Sequence, residues 1–176
     1  MTRTQLEHII RAAGSITGEQ RLIIIGSQSI LGSFPDAPET LLVSMEADAF
    51  PETAPEKWEL IDGCIGELSP FHETFGYYAH GVAPETALLP RHWRDRLVTV
   101  DSPATYGCTG LCLSPADLAI SKLLAGREKD LAFVQTMLTE ELVSLNDIRQ
   151  LATELENDEQ HRLTNALDRL DLSSLS

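Results

Sequence analysis

Short apolar runs separated by polar turns characterise the first half of the chain and predict a β-sheet. Residues 22–25 are Leu-Ile-Ile-Ile, and this aliphatic run stops at Gly26 and Ser27. A short run rich in β-branched residues is typical of a buried strand. A second apolar run begins at Leu41, after a turn that contains two prolines. We therefore predict two adjacent strands of one mixed sheet, over residues 22–25 and 41–46.

Two acidic residues, Glu46 and Asp48, follow the second apolar run. Side chains of a strand alternate between its faces, so this pair projects from one face. Two neighbouring carboxylates repel each other unless a cation lies between them, and Mg²⁺ prefers oxygen ligands of this kind. The alternative is a solvated strand end with two exposed acids. The Gly26 and Ser27 turn, one strand earlier, favours the metal interpretation.

The rest of the first two-thirds alternates short helical and extended patterns. One apolar face over residues 4–13 predicts a first helix, which the glycines at 14 and 18 end. Further helices are predicted over residues 28–32 and 56–66. Strands are predicted over 97–100 and 106–113, and a strand or hairpin over 71–82.

At Ser114 the pattern becomes helical. Ser114 as N-cap, Pro115 at the first helical position and Asp117 in the first turn together mark a helix start. More helices are predicted over residues 127–138, 144–155 and 159–170. The sequence thus predicts an α+β fold, a small mixed β-sheet flanked by helices with a C-terminal helical bundle. Residues 1–113 would form the core, and residues 114–176 would pack on it within one structural domain.

Charge is distributed unevenly along this acidic chain, whose formal net charge is −14. Residues 28–90 hold eleven acids and the single base Lys57. An acidic surface attracts phosphate backbones poorly, so we expect no non-specific DNA binding. A phosphate-bearing ligand would bind at the basic segment 91–129, which carries Arg91, Arg94, Arg96, Lys122, Arg127 and Lys129.

Composition excludes several classes of protein. The chain is 43% hydrophobic and 23% charged, which is ordinary for a globular protein. No apolar stretch approaches the roughly 20 residues that cross a bilayer, and the first residues lack the apolar core of a signal peptide. The three cysteines show no paired zinc spacing. We expect a cytoplasmic protein without a membrane partner.

Two motifs resemble one family. A Gly-Ser pair at the end of one strand, followed by acid-x-acid, is similar to the nucleotidyltransferase superfamily that includes DNA polymerase β. The segment LSPADLAISKLLAGREKD resembles a block found in AbiEii-type nucleotidyltransferase toxins and their uncharacterised bacterial relatives. With the stretch FHETFGYYAHGV, the resemblance extends over roughly residues 20–140. It implies a nucleotidyltransferase core for the predicted sheet.

The resemblance also implies roles for the turn and the acids. Gly26 and Ser27 would cradle the triphosphate of an NTP, because glycine lets backbone N–H groups approach and the serine adds a hydroxyl. Glu46 and Asp48 would hold Mg²⁺, which bridges phosphates and neutralises charge during the displacement.

The basic segment would supply the counter-charges. By the same resemblance, Lys122, Arg127 and Lys129 would contact phosphates, and Asp130 would orient one of these cations or assist the metal. Two other interpretations stay open at this point. Lys122 can be a solvated helix residue, and Arg127 with Asp130 can be an i,i+3 surface pair.

Full enzymes of this superfamily carry a third carboxylate on a later strand. Asp101, which follows the predicted strand 97–100, is the candidate in this chain. His72, beside Glu73, can serve as a base or ligand, although a lone histidine in a Gly- and Tyr-rich strand is more often structural. Glu46 stands where the superfamily usually has aspartate.

Two functions are compatible with these residues. The first is Mg²⁺-dependent transfer of a nucleotidyl group from an NTP to an RNA end or a protein hydroxyl, as the toxin of a toxin–antitoxin pair with a cognate antitoxin. The second is a non-catalytic nucleotidyltransferase-like module that acts through protein–protein contacts. The first requires Ser27 within about 10 Å of Asp48. It also requires Lys122 to point at the turn formed by Gly26 and Ser27.

Overall fold

The computed structural model describes residues 1–170, and a five-stranded mixed sheet lies at its centre. Strand β1 is antiparallel to β2 and parallel to β5, β3 is parallel to β2, and β4 is antiparallel to β5. The order across the sheet is β3-β2-β1-β5-β4, with the strands at β1 (Arg21–Ile25), β2 (Glu46–Pro51), β3 (Tyr78–Gly81), β4 (Val98–Val100) and β5 (Thr109–Cys112).

Eight α-helices accompany the sheet within the described residues. The last four form a bundle in which α5 contacts each of α6, α7 and α8. No helix of residues 1–170 has both the length and the apolarity to cross a bilayer. The helices are α1 (Arg3–Thr17), α2 (Ile30–Ser33), α3 (Trp58–Ile65), α4 (Pro70–Phe75), α5 (Pro115–Ala125), α6 (Glu128–Thr139), α7 (Leu145–Ala152) and α8 (Asn157–Leu167).

These elements confirm the predicted α+β fold with its mixed sheet and C-terminal helices. Residues 171–176, which belong to the predicted C-terminal segment, lie outside the described residues. The sequence of β1 explains its central position, because Leu22, Ile23 and Ile24 are fully buried and a central strand needs apolar side chains on both faces. Burial of each such side chain stabilises the fold by roughly 1.5–3 kcal/mol. The end of β1, where the site begins, is therefore held rigidly.

The second strand begins later in the chain than the sequence predicts, so the predicted boundaries 41–46 are wrong. Leu41 ends a 3-10 turn, and β2 starts only at Glu46. The true strand reads Glu-Ala-Asp-Ala-Phe-Pro, and alanine and acidic residues have low β propensity. Pairing with β1 overrides that propensity. Because the pairing is antiparallel, the start of β2 lies beside the end of β1.

The prediction of a strand or hairpin over 71–82 is wrong in its first half. Ser69 caps a short helix by accepting a hydrogen bond from the His72 backbone N–H, and Pro70 takes the first helical position. Gly76 ends this helix α4 with φ 74°, so that only Tyr78–Gly81 is extended. The Ser-Pro signal that marks the start of α5 is thus present here as well.

The first helix also differs from the prediction, since Gly14 does not end it. Helix α1 continues to Thr17, and Gly18 ends it in the left-handed conformation. Gly14 lies inside the helix, and a Cβ atom at this position would be only 2.3 Å from the Cys108 sulfur. This glycine serves close packing and not helix termination.

Helix α5 is fixed at its N-terminal end by a buried ion pair. Asp117 is fully buried and accepts hydrogen bonds from the Arg96 guanidinium at 2.7 and 3.0 Å. Ser114 caps the helix by accepting from the Asp117 backbone N–H. Arg96 also donates to Glu154, which follows α7. These contacts fix the direction of α5 and, with it, the position of Lys122.

Candidate active site

The turn after β1 lies directly against Asp48 of β2. Ile25, the last residue of β1, pairs with Asp48 in the antiparallel ladder. Gly26 follows with φ 67° and ψ −169°, a conformation that essentially only glycine adopts. A Cβ atom on Gly26 would be 2.0 Å from Asp48 Oδ2. The predicted convergence of the turn and the acids is therefore confirmed.

Glu46 and Asp48 project from one face of β2, as predicted, and each contacts a side chain of the neighbouring strand β3. Tyr78 pairs with Glu46 in the ladder, and its hydroxyl donates to Glu46 Oε2 at 3.0 Å. His80 pairs with Asp48, and its Nδ1 lies 2.9 Å from Asp48 Oδ1. Burial and the hydrogen bond to the Glu46 carboxylate raise the pKa of Tyr78 to about 12, so the phenol stays a donor.

The environment of Asp48 fits a bound cation. Burial raises the pKa of Asp48; the His80 hydrogen bond opposes this shift, and the charge of Glu46 adds to it. A divalent ion would compensate both burial and repulsion. Residues 1–170 contain no group of three or more His, Cys, Asp or Glu arranged as a metal site. Glu46 and Asp48 are the only acidic side chains of the described residues that line the larger of the two cavities with Ser27, apart from Asp130.

The raised pKa predicts that Asp48→Asn stabilises the protein when divalent ions are removed. The native state holds the Asp48 proton more tightly than the unfolded chain, so stability falls as pH rises from 3.8 through the native pKa. Urea unfolding in EDTA at pH 7 should show a gain of about 1 kcal/mol.

The gain should shrink as pH falls through the raised native pKa of Asp48, because the wild-type carboxyl is then increasingly neutral. Asp36→Asn serves as the control, since Asp36 is exposed on a loop and should change stability by less than about 0.5 kcal/mol. A pH-independent gain, or a loss at pH 7, would contradict the account of Asp48.

Lys122 of α5 points at the turn, as predicted, but it is buried and not solvent-facing. Its Nζ donates to Ser27 Oγ at 2.7 Å and to Asp130 Oδ1 at 3.0 Å. The ammonium also lies 5.3 Å from the centre of the Phe133 ring, within cation–π range. Only 11% of the side chain is exposed. The alternative of a solvated helix residue does not hold, because Asp130 and Phe133 of α6 cover the lysine.

Asp130 forms ion pairs with both neighbouring cations, Lys122 and Arg127. It is 1% exposed, and Arg127 Nε donates to its Oδ2 at 2.5 Å. Burial opposes ionisation of Asp130, but the hydrogen bonds from Arg127 and Lys122 outweigh it and lower its pKa. Gly126 ends α5 with φ 68°, so that Lys129 belongs to the next helix. Arg127 and Asp130 are thus an i,i+3 pair whose acid faces inward.

A cleft of about 550 Å³ contains most of the residues that the sequence singled out. Val43 and Phe133 form its apolar wall. Gly26 lines a smaller adjoining cavity of about 240 Å³, together with Asp48, Lys122 and Arg162. The predicted site residues in the larger cleft are Ser27, Glu46, Asp48, Lys122, Arg127, Lys129 and Asp130.

Asp101 does not belong to this site, so its prediction as a third carboxylate is wrong. It follows β4, whose last residue Val100 pairs with Gly110 of β5, which in turn pairs with Leu22 at the start of β1. Asp101 thus lies at the opposite end of the sheet from Gly26. The antiparallel direction of β4 causes this, and the sequence alone does not determine that direction.

The histidine in the cleft is His80, which the sequence analysis missed, and not His72. The His72 ring lies against Tyr78, and its Nδ1 accepts from the Leu68 backbone N–H. The structural interpretation of His72 is therefore the better one. His80 stands two residues after Tyr78, so both side chains project from the same face of the sheet as their β2 partners, Glu46 and Asp48. This period-two spacing was a usable signal once the strand had been placed correctly.

Comparison with known families covers nearly the whole chain. The family described as "Nucleotidyltransferase of unknown function (DUF6036)" matches residues 4–170, which include every residue of the cleft. Neither the curated proteins nor the solved structures give a significant match. The resemblance to the nucleotidyltransferase superfamily is confirmed. The chain belongs to the nucleotidyltransferase family of unknown function DUF6036.

Proposed function

We propose that this protein transfers a nucleotidyl group from an NTP to a hydroxyl acceptor, with the acceptor oxygen replacing pyrophosphate on the α-phosphorus. One observation carries the proposal: Ser27, the two acids of β2 and the buried Lys122 line one cleft, and Gly26 lies against Asp48 beside it. Phosphoryl chemistry of this kind depends on positioning and charge stabilisation more than on covalent steps by the protein. A cleft that is lined by both acids and cations suits that requirement.

The turn and Lys122 would bind the phosphates of the NTP. Lys122 Nζ donates to Ser27 Oγ, which leaves the Ser27 proton free to donate to a phosphate oxygen. Gly26 has no side chain, so a phosphate can approach its backbone closely. Arg127 and Lys129 line the same cleft and would balance the remaining negative charge.

Glu46 and Asp48 would hold the divalent ion, with Mg²⁺ as the ion that the resemblance implies. Bound between these acids and the nucleotide, it would supply charge neutralisation at the phosphates. The chain's own contribution is to keep Asp48 in place, through the contacts with Gly26 and His80. Tyr78 holds Glu46 in the same way. The apolar wall of Val43 and Phe133 would exclude water and contact the base.

The proposal is tested by labelling. The protein is incubated with each NTP carrying a label on the α-phosphate, with Mg²⁺ and with total RNA or a cell lysate. Label should appear on a macromolecule and should disappear with Asp48→Asn. If the protein binds nucleotide but transfers no label with any of the four NTPs, the result would count against an enzymatic function.

A prediction for nucleotide affinity follows from the position of Lys122. Lys122→Met keeps an apolar stem in the cleft but removes the charge, and should weaken NTP binding by about 1.5–3 kcal/mol, or roughly 10- to 100-fold. Calorimetry with a non-hydrolysable NTP analogue measures this. Lys57→Met is the control, because Lys57 donates to Glu19 and Thr17 outside the cleft. Equal affinities in both variants would contradict a phosphate role for Lys122.

The acceptor, the toxin role and the cognate antitoxin are carried over from the resemblance of residues 113–130 to AbiEii-type toxins. An RNA end and a protein hydroxyl are the two acceptors that this resemblance implies. The second candidate function is a non-catalytic module, favoured by the acidic segment 28–90 with its eleven acids and one base. It predicts that Asp48→Asn and Lys122→Met leave binding of the protein partner unchanged.

A further inference from the structure

We infer that Asp48 Oδ1 and His80 Nδ1 bind one divalent cation together, and that the site prefers Mn²⁺ to Mg²⁺. This inference rests on the proposed function, because it concerns the ion that acts with the nucleotide. It assigns to His80 a role that neither the sequence motif nor the family description contains.

The two donor atoms have the separation that a shared ion requires. Ligands of an octahedral ion at about 2.1 Å that occupy neighbouring positions lie about 3.0 Å apart. The distance from His80 Nδ1 to Asp48 Oδ1 is 2.9 Å. The same separation serves a hydrogen bond when the ion is absent. Binding the ion then requires His80 to carry its proton on Nε2, and no movement of either strand.

The backbone fixes this pair. Asp48 and His80 are partners in the parallel ladder of β2 and β3, with Ala47 and Ala79 fully buried in the preceding pair. Both side chains therefore leave the sheet on the face of the cleft. Within residues 1–170, Asp48 Oδ1 is the polar contact of the His80 ring. Half of the His80 side chain is exposed, and it lines the 550 Å³ cleft with Glu46.

The donor types determine the preferred metal. Carboxylate, phosphate and water oxygens suit Mg²⁺ and Mn²⁺ alike, but Mg²⁺ binds imidazole poorly. A ligand pair of one carboxylate, Asp48, and one imidazole, His80, therefore shifts the preference toward a transition metal. Mn²⁺ combines this nitrogen affinity with tolerance for oxygen ligands and octahedral geometry. Two carboxylates alone would leave no such preference.

The test is electron paramagnetic resonance of Mn²⁺ bound with a non-hydrolysable NTP analogue. Electron spin echo modulation detects a nitrogen that is bonded directly to Mn²⁺. The wild type and His72→Ala should show the ¹⁴N modulation, and His80→Ala should lose it while still binding Mn²⁺ and nucleotide. His72 is the matched control because its imidazole lies against Tyr78 of β3 but does not line the cleft.

Affinity provides a second readout. His80→Ala should weaken Mn²⁺ binding about tenfold and change Mg²⁺ binding by less than about threefold, whereas His80→Asp should favour Mg²⁺. Bound Mn²⁺ without ¹⁴N modulation in the wild type would overturn the inference and leave the proposed function standing. Absence of any ion and nucleotide binding, in wild type and variants alike, would overturn the proposed function itself.

Discussion

Asp130→Asn should destabilise the protein by about 3 kcal/mol, a large part of the 5–15 kcal/mol that folded domains typically have. The change removes the charge that Lys122 and Arg127 share at 3.0 and 2.5 Å. Lys122, with 11% of its side chain exposed, would remain as a buried cation that has lost the carboxylate it donates to directly. Urea unfolding at pH 7 measures the loss, and NTP binding should weaken with it, because Asp130 directs Lys122 toward Ser27.

Glu128→Gln is the matched control for this variant. Glu128 lies in the same first turn of α6 and also pairs with an arginine, Arg169, but its side chain is 88% exposed. Exposed pairs contribute little, so the change should cost less than about 0.5 kcal/mol.

The pH dependence has a definite sign. The native pKa of Asp130 lies below its ordinary value of 3.8, so its contribution is present above about pH 4 and is lost as pH falls through the native pKa. The difference between wild type and Asp130→Asn should therefore shrink in acid. A double variant, Lys122→Met with Asp130→Leu, should recover much of the stability. If the double variant is as unstable as the sum of both single changes, the pair is not coupled.

The features that the sequence predicts correctly depend on local signals. The strand β1 is identified by its aliphatic run, and α5 by the Ser114, Pro115 and Asp117 start. Each signal lies within a few residues, so no knowledge of distant neighbours is needed. That the Gly26 turn, the acids and Lys122 meet was predicted from the resemblance of their motifs to the nucleotidyltransferase superfamily.

The predictions that failed depend on which elements become neighbours in the fold. The strand order β3-β2-β1-β5-β4 differs from chain order, and it separates Asp101 from the site while bringing His80 to Asp48. A solvated Lys122 remained an open alternative because helix periodicity does not reveal what packs on a face. In the fold, Gly126 ends α5, and the chain turns back so that Asp130 covers the lysine. Such contacts are long-range products of packing.

The prediction of where β2 starts failed for a different reason. The apolar run at Leu41 resembles a strand, but Val43 is 75% exposed and the strand itself holds alanines and acids. Functional residues such as Asp48 occupy positions that an apolar side chain would otherwise fill. A local pattern is thus least informative where the site departs from ordinary strand composition.

Gly26→Ala should remove nucleotide binding and destabilise the protein by about 3 kcal/mol. Two costs add at this position. A non-glycine residue at φ 67° and ψ −169° is strained by roughly 1–3 kcal/mol. The new Cβ would also be 2.0 Å from Asp48 Oδ2, so the carboxylate must move away from the turn. That movement separates Asp48 from the phosphates that Ser27 and Lys122 would bind.

The control that separates these two costs is Gly76→Ala. Gly76 has φ 74°, and no atom lies within 4 Å of the Cβ that alanine would add. Its replacement should cost about 1 kcal/mol through backbone strain alone and should leave nucleotide affinity unchanged. Urea unfolding and calorimetry with the non-hydrolysable analogue give both quantities for both variants. If Gly26→Ala binds nucleotide as the wild type does, the contact between the turn and Asp48 is only structural. The phosphates would then have to bind away from Gly26, on the side of the cleft formed by Arg127 and Lys129.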